Sequence, residues 1–263
     1  MKIPIYQVDA FTDKLFGGNP AAVCPLKKWL DEKTMQSIAL ENNFAETAFI
    51  VKEKNAYNIR WFTPKVEVKL CGHATLATSF VIFNFLKYKK NEIIFNSKSG
   101  ELRVRKENGL LILNFPSDKA KKTNLLPTVG IGIGILPAET YKGKTDYMLV
   151  YDSQEQIENI SPDFKKLSEE EVRGIIVTSP GKDCDFVSRF FAPAAGVNED
   201  PVTGSAHTTL IPYWSKRLKK IEMTARQLSD RKGFLRCKFL NERVEIGGKA
   251  VLFLKGEIEI NSK

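Results

Sequence analysis

The sequence predicts an α+β protein of two similar halves, each a strand-rich segment curled around one apolar helix. Apolar and polar residues alternate through both halves, as half-buried strands require. HATLATSFVIFNFLK (His73 to Lys87) is apolar nearly all round, so it reads as a helix buried on most sides, inside a curled sheet. Two stretches, opening at Arg60 and at Arg189, repeat one residue pattern.

Composition sets the outer bounds. A chain of 263 residues suits two domains, and 43% hydrophobic with 27% charged residues is ordinary for a globular protein. No apolar run approaches the ~18 residues of a membrane span, so no membrane partner is expected. The N-terminal MKIPIYQVDAFT alternates like a first strand and lacks the apolar block of an export signal, which gives a cytoplasmic expectation. Four cysteines (Cys24, Cys71, Cys184, Cys237) stand apart without a CxxC pair, so free thiols are expected and no metal site. The net charge of +9 comes from lysines scattered through KYKK, KAKK and KRLKK, without the interleaved aromatics of a nucleic-acid platform. Solvated lysine-rich faces and no nucleic-acid partner are the reading, with a field that favours small anions.

Periodicity places strands near 2 to 10, 46 to 52, 57 to 63, 92 to 98, 101 to 106 and 109 to 115, and helices near 31 to 42 and 73 to 87. PSDKAKKTNLLP (Pro116 to Pro127), with two prolines and a charge run, reads as a linker. The domains are therefore expected at 1–117 and 128–263. VGIGIG (Val129 to Gly134) lacks GxGxxG spacing, opens no clear helix and counts as linker too. Beyond it come strands near 146 to 151, 174 to 178, 185 to 192, 234 to 240 and 243 to 259, and a helix near 205 to 219.

RWFTPKVEVKLCGHATLA (Arg60 to Ala77) and RFFAPAAGVNEDPVTGSAHTTL (Arg189 to Leu210) both read Arg, aromatic, Phe, small residue, Pro. In each, a Glu stands five residues ahead of a Gly (Glu67 and Gly72, Glu199 and Gly204), and a helix start follows. The Pro-to-Gly spacing is 8 in one and 11 in the other, as a three-residue insertion would leave it. Duplication implies a pseudo-twofold axis, and a site on that axis would receive one glycine-led helix start from each side.

Such a start offers unpaired backbone N–H groups and about half a positive charge, enough to hold a carboxylate. Both histidines fall beside these glycines: His73 directly after Gly72, His207 two residues further into its helix, where it is either a structural residue or a substrate contact. Asp200, ahead of Gly204, is either a helix cap or a group that orients a substrate amine or hydroxyl. Cys71 precedes Gly72, has Thr203 as its counterpart, and reads as a buried inert thiol in preference to a nucleophile. Glu46 opens an apolar strand, where burial beside Phe44 and Phe49 would suit it to proton transfer and exposure would leave it a solvated edge residue.

The motifs NNFAETAF, WFTPxxE followed by CGHAT, RFFAPAAGVNEDPVTGSAH, ARQLSDRKG with IGGKAV after it, and GGNPAAVC closely resemble the phenazine-biosynthesis-like PhzF family, which shares the diaminopimelate epimerase fold. The matches run in order from residue 1 to about 260. The resemblance implies two similar domains, each a mixed β-barrel around a central α-helix, with the site in the interdomain cleft, and it allows the final strand to cross back to the first domain. It maps the proton-shuttling glutamate to Glu46, its histidine partner to His73, the acid that contacts a substrate amine to Asp200, and the carboxylate clamp to the amides of Gly72, His73, Gly204 and Ser205. The two opposed cysteines of the epimerases reduce here to Cys71, and Ala45 stands where the phenazine enzyme has a serine.

The expected activity is thus a cofactor-independent isomerase acting on a small anionic carboxylate, without metal or cofactor, in a homodimer. An amino-acid epimerase or racemase using Cys71, and a binding protein without chemistry, are the alternatives.

Overall fold

The alternation at the N-terminus forms strand β1 (Lys2–Ala10) in the computed structural model, which describes residues 1–260. Strand β2 (Asn19–Leu26) returns antiparallel to it, and helix α1 (Glu32–Asn42) carries the chain to β3 (Glu46–Glu53), parallel to β2. α1 starts where the Asp31 carboxylate accepts from the Thr34 amide at 2.9 Å, and it stops at Asn43 in the left-handed region. β4 (Ala56–Phe62) folds back on β3, and the short β5 (Glu67–Val68) pairs with its end. Helix α2 (Gly72–Phe85) follows, then β6 (Glu92–Ser97) parallel to β4, β7 (Gly100–Glu107) and β8 (Leu110–Pro116), antiparallel in turn. α2 is buried from His73 through Ser79 and again at Val81 and Ile82, packed on β1, β2 and β3. An all-round apolar sequence is what a helix with sheet on most sides needs.

After β9 (Lys121–Lys122), helix α3 (Pro127–Ile133) and β10 (Glu139–Lys142), the same order of connections recurs. β11 (Asp146–Val150) pairs antiparallel with β10; two short helices, α4 (Gln154–Asn159) and α5 (Phe164–Leu167), lead to β12 (Gly174–Pro180), parallel to β11. β13 (Phe186–Ala192) folds back, and the short β14 (Val197–Glu199) pairs with its end. Helix α6 (Gly204–Leu218) follows, then β15 (Glu222–Gln227) parallel to β13, β16 (Gly233–Leu240) antiparallel to β15, and β17 (Arg243–Gly248). The last strand, β18 (Ala250–Glu259), lies antiparallel along the whole of β1, as β9 lies along β10. Contacts divide the chain into two compact units, one of Met1–Asn114 with the segment from Gly247 onward, the other Phe115–Ile246.

Two sequence readings are corrected. VGIGIG is not linker: Pro127 opens α3, Gly134 ends it in the left-handed region, and Val129 and Ile133 enter the core of the second unit with Leu149, Val177 and Phe191. Gly132 is there for close packing, since a Cβ would stand 2.4 Å from the Leu167 side chain on α5. The run 243 to 259 is two strands, divided at Lys249. Each core holds fully buried aromatics, Trp61, Phe62 and Phe95 in the first unit and Trp214, Phe186 and Phe191 in the second. Each such ring contributes about 1.5–3 kcal/mol by leaving water. Among the described residues no helix is long and apolar enough to cross a membrane.

Candidate active site

Three chain segments of the first unit converge on His73. α2 begins at Gly72, so His73 lies in its first turn, 4% exposed. Glu46 is the first residue of β3, paired with Ala21 of β2. Its Oε2 lies 3.0 Å from His73 Nε2, an ion pair by distance whose angle falls outside hydrogen-bond geometry. Oε2 is fully buried and makes no hydrogen bond, while the side chain as a whole keeps 17% exposure.

On the other edge of the ring, the Asn19 amide Nδ2 stands 3.1 Å from His73 Nδ1. Asn19 is wholly buried at the start of β2. Gly18 delivers it there: with φ of +62° and an added Cβ only 2.1 Å from the Ala10 carbonyl oxygen, no other residue fits that turn.

Cys71 completes the group, its Sγ 3.6 Å from His73 Nδ1 and 4.0 Å from Nε2. Burial, joined by the Glu46 charge, pushes its thiol up to about 11, so it holds its proton near neutral pH. Burial opposes a charge on His73, the Cys71 and Glu46 neighbours favour one, and the balance lifts His73 above the ordinary imidazole value. Cys71 exerts that pull only as a thiolate, so near neutral pH Glu46 is the neighbour that counts.

Glu46, Cys71 and His73 offer ligand atoms within 4.8 Å of one another. They fit a metal poorly. The thiol lies nearer Nδ1 than Nε2, so an ion bound at Nε2 towards Glu46 would remain well beyond the ~2.3 Å of a zinc–thiolate bond.

In the second unit, Asp200, Gly204 and Ser205 gather at the start of α6. The Thr203 hydroxyl donates to Asp200 Oδ2 at 2.5 Å, and buried Gln227 braces both, accepting from the Thr203 amide at 2.8 Å and donating to the Asp200 carbonyl at 2.7 Å. Arg173 donates to the Ser205 hydroxyl at 3.1 Å and also holds the buried Asp146 carboxylate. His207 is wholly buried; its Nδ1 donates to the Thr203 carbonyl at 2.8 Å, and its Nε2 makes no hydrogen bond. Burial drops its pKa to about 4, so it is a neutral, structural ring at the base of α6.

The two helix starts share one property. α1, α4 and α5 are capped by the side chains of Asp31, Ser153 and Asp163, whereas neither Cys71 before α2 nor Thr203 before α6 caps its helix; α3, opened by Pro127, is uncapped as well. Neither first turn carries an acidic residue. Both keep N–H donors available where an ordinary helix would spend them on its own cap.

The structure thus brings Glu46, Gly72 and His73 together in one unit and Asp200, Gly204 and Ser205 together in the other. Asn19, Gln227 and Arg173 are additions. Asn19 and Gln227 sit inside GGNPAAVC and ARQLSDRKG, so motif membership was their only signal; Arg173 had none.

The phenazine biosynthesis-like family model matches residues 8–256. An uncharacterized isomerase of Pseudomonas aeruginosa is 48% identical, over 99% of this chain and 100% of its own. The crystal structure of a PhzF-family phenazine biosynthesis protein from Enterococcus faecalis superposes with a TM-score of 0.96 at 48% identity, covering 99% of this chain and 100% of that one. A probable proline racemase from Agrobacterium radiobacter, 10% identical, gives a TM-score of 0.69 over 98% of this chain and 93% of its own, a likeness of fold alone. With a match this long and relatives named as isomerases, the chain belongs to the phenazine biosynthesis-like PhzF family.

Proposed function

We propose that the protein is a cofactor-independent isomerase that moves a proton on a small carboxylate-bearing substrate, with Glu46 as its acid and base. The observation that carries this reading is the Glu46–His73 contact: one carboxylate oxygen is buried against Nε2 in a side chain that keeps 17% exposure. The amides of Gly72 and His73 at the uncapped start of α2 are proposed as donors for the substrate carboxylate; in the second unit, those of Gly204 and Ser205 at the start of α6 are proposed as substrate-binding donors and Asp200 as the group that orients an amine or hydroxyl. A C–H bond beside the carboxylate breaks, its electron pair spreads into the carboxylate held by these N–H groups, and Glu46 takes the proton. In a substrate with a carbon–carbon double bond next to that C–H, the pair is shared as an allylic anion; the resulting Glu46 carboxylic acid returns the proton to the far allylic carbon, the double bond moves by one position, and the Glu46 carboxylate is restored.

Two-base epimerisation is less well supported. It would call on Cys71, a buried thiol pushed up to about 11, and the counterpart of Cys71 in the second repeat is Thr203, which does not ionise in this range. A screen of purified protein against small carboxylates in D₂O, reading solvent deuterium in the product, finds the substrate. On it, Glu46→Gln is expected to lose about 10²- to 10⁴-fold in turnover, and Cys71→Ser to stay within about one order of magnitude. Turnover that survives in Glu46→Gln and disappears in Cys71→Ser would replace this reading with the epimerase. The functional unit is proposed to be a homodimer, which a light-scattering mass of twice the chain would support.

A further inference from the structure

We propose that Asn19 is a positioning residue that anchors His73 through Nδ1 and so keeps the proton of the neutral ring on Nε2, facing Glu46. The inference deepens the isomerase reading and rests on it for its catalytic meaning, although the ring geometry stands by itself.

The argument begins with donor chemistry. An amide nitrogen can only donate, so Asn19 Nδ2 at 3.1 Å makes His73 Nδ1 an acceptor, and the neutral ring then carries its hydrogen on Nε2. That hydrogen points to the side where Glu46 Oε2 lies 3.0 Å away. The titratable groups against the ring are Glu46 and Cys71, and near neutral pH the thiol is protonated, so neither competes for Nδ1 as a strong acceptor. Asn19 is itself immobile: it is wholly buried, Gly18 fixes its approach, and it sits in the β1–β2 ladder opposite Ala10.

An aspartate of the same shape would do the reverse, since a carboxylate accepts and would hold a proton on Nδ1. The amide leaves an N–H on the Glu46 side in the neutral ring as in the charged one. His207 gives the built-in contrast: its Nδ1 faces a carbonyl, which can only accept, so its neutral ring carries the hydrogen on Nδ1. The only two histidines in the chain are therefore expected as opposite tautomers.

The test is long-range ¹H–¹⁵N correlation on protein labelled with ¹⁵N-histidine, followed through a pH titration, with the His73 signals identified by their loss in His73→Gln. On the alkaline limb His73 is expected to keep its proton on Nε2 and to show a bare Nδ1, while His207 shows the opposite pattern. In Asn19→Asp, close in shape, His73 Nδ1 should keep its proton to higher pH; in Asn19→Leu the preference for Nε2 should be lost. Unchanged dispersion of the first unit's backbone amide signals, with unchanged His207 signals for the second, reports that each variant is folded. A wild-type His73 with a bare Nε2, or the same pattern in Asn19→Asp as in wild type, overturns the assignment. These readings need no substrate, so they stand or fall apart from the isomerase reading. On a substrate from the screen, Asn19→Leu should lower turnover about 10- to 100-fold with little change in KM; full turnover with an altered tautomer would show that the anchor has no bearing on catalysis.

Discussion

Arg60 grips Glu67 with two parallel hydrogen bonds, Nε to Oε1 at 2.8 Å and Nη2 to Oε2 at 2.6 Å. Arg189 grips Glu199 in the same way, at 2.8 and 2.9 Å. In both units the arginine sits on the long strand before the glycine-led helix, the glutamate on the short strand that pairs with its end, and the guanidinium lies over the Phe between them, Phe62 at 5.1 Å and Phe191 at 4.9 Å. Each fork fixes the loop that leads into its helix start, and so holds the donors of Gly72 and Gly204 in place.

The first prediction follows from the Arg60 fork. Its hydrogen bonds hold the Glu67 carboxyl below the ordinary glutamate value of 4.5, with Lys98 adding to the effect and burial opposing it. A lowered folded value means that the stabilisation is complete above pH 4.5 and is lost as pH falls through the folded value. Arg60→Gln is expected to cost roughly 1–2 kcal/mol at neutral pH, a figure discounted for partial exposure, and to flatten the acid limb of stability against pH. Urea midpoints across the acid range check both, and an unchanged acid limb would place the fork outside the stability of this unit.

Cysteine chemistry gives the second. Cys24, Cys71 and Cys237 are buried and Cys184 is only partly so; burial raises all four thiols, and Cys184 alone is open to reagent. Iodoacetamide on the native protein at mildly alkaline pH should label Cys184 first and leave Cys71 untouched until denaturant is added. Mass mapping of the labelled peptides checks this. Rapid native labelling of Cys71 would mark it as an activated thiol and revive the epimerase.

These residues also show what was legible beforehand. The Arg–Phe–Glu–Gly repeat and the apolar helix were visible because each is local, a spacing or a composition within twenty residues. β15, EMTARQ, was missed because its buried face is Met223, Ala225 and Gln227, too small or too polar to register as alternation. α3 was missed because its glycines signalled a breaker, whereas Gly132 serves contact with Leu167, far along the chain. Glu46, His73 and Asp200 stand out by local position, and the family resemblance supplies their roles; their neighbours Asn19 and Gln227 act across 54 and 24 residues of sequence, to His73 and Thr203, and no local pattern encodes such a pairing.

The third prediction concerns His207. Its folded pKa of about 4 lies below the free imidazole value of 6.5, so the unfolded chain takes up this proton first as pH falls. Stability should therefore fall between pH 6.5 and about 4, by about 3 kcal/mol from this ring alone. His207→Gln should remove that slope, whatever it costs at pH 7. Thermal or urea midpoints of the two proteins over this range decide it, and parallel slopes would mean that the ring takes its proton inside the folded protein.

The last prediction tests the open donors at the start of α6. Thr203 spends its hydroxyl on Asp200, the first turn has no acidic residue, and the Arg173 guanidinium stands at the Ser205 hydroxyl, so a small oxyanion meets N–H groups and a positive charge together. Sulfate at about ten times its dissociation constant should stabilise the folded protein by about 1.4 kcal/mol, a rise of about 3–5 °C in the melting temperature over chloride at equal ionic strength. Ser205→Asp puts a carboxylate into that first turn, where it occupies the donors and repels an anion; the sulfate effect should shrink to a fraction of its wild-type size. Lys119→Ala, which removes an exposed lysine paired only with Glu242, is the control for diffuse attraction by the net charge of +9 and should keep the full effect. Equal losses in the two variants would assign the binding to general electrostatics. A full sulfate effect in Ser205→Asp would take the α6 donors out of the proposed site and leave carboxylate binding to Gly72 and His73 alone.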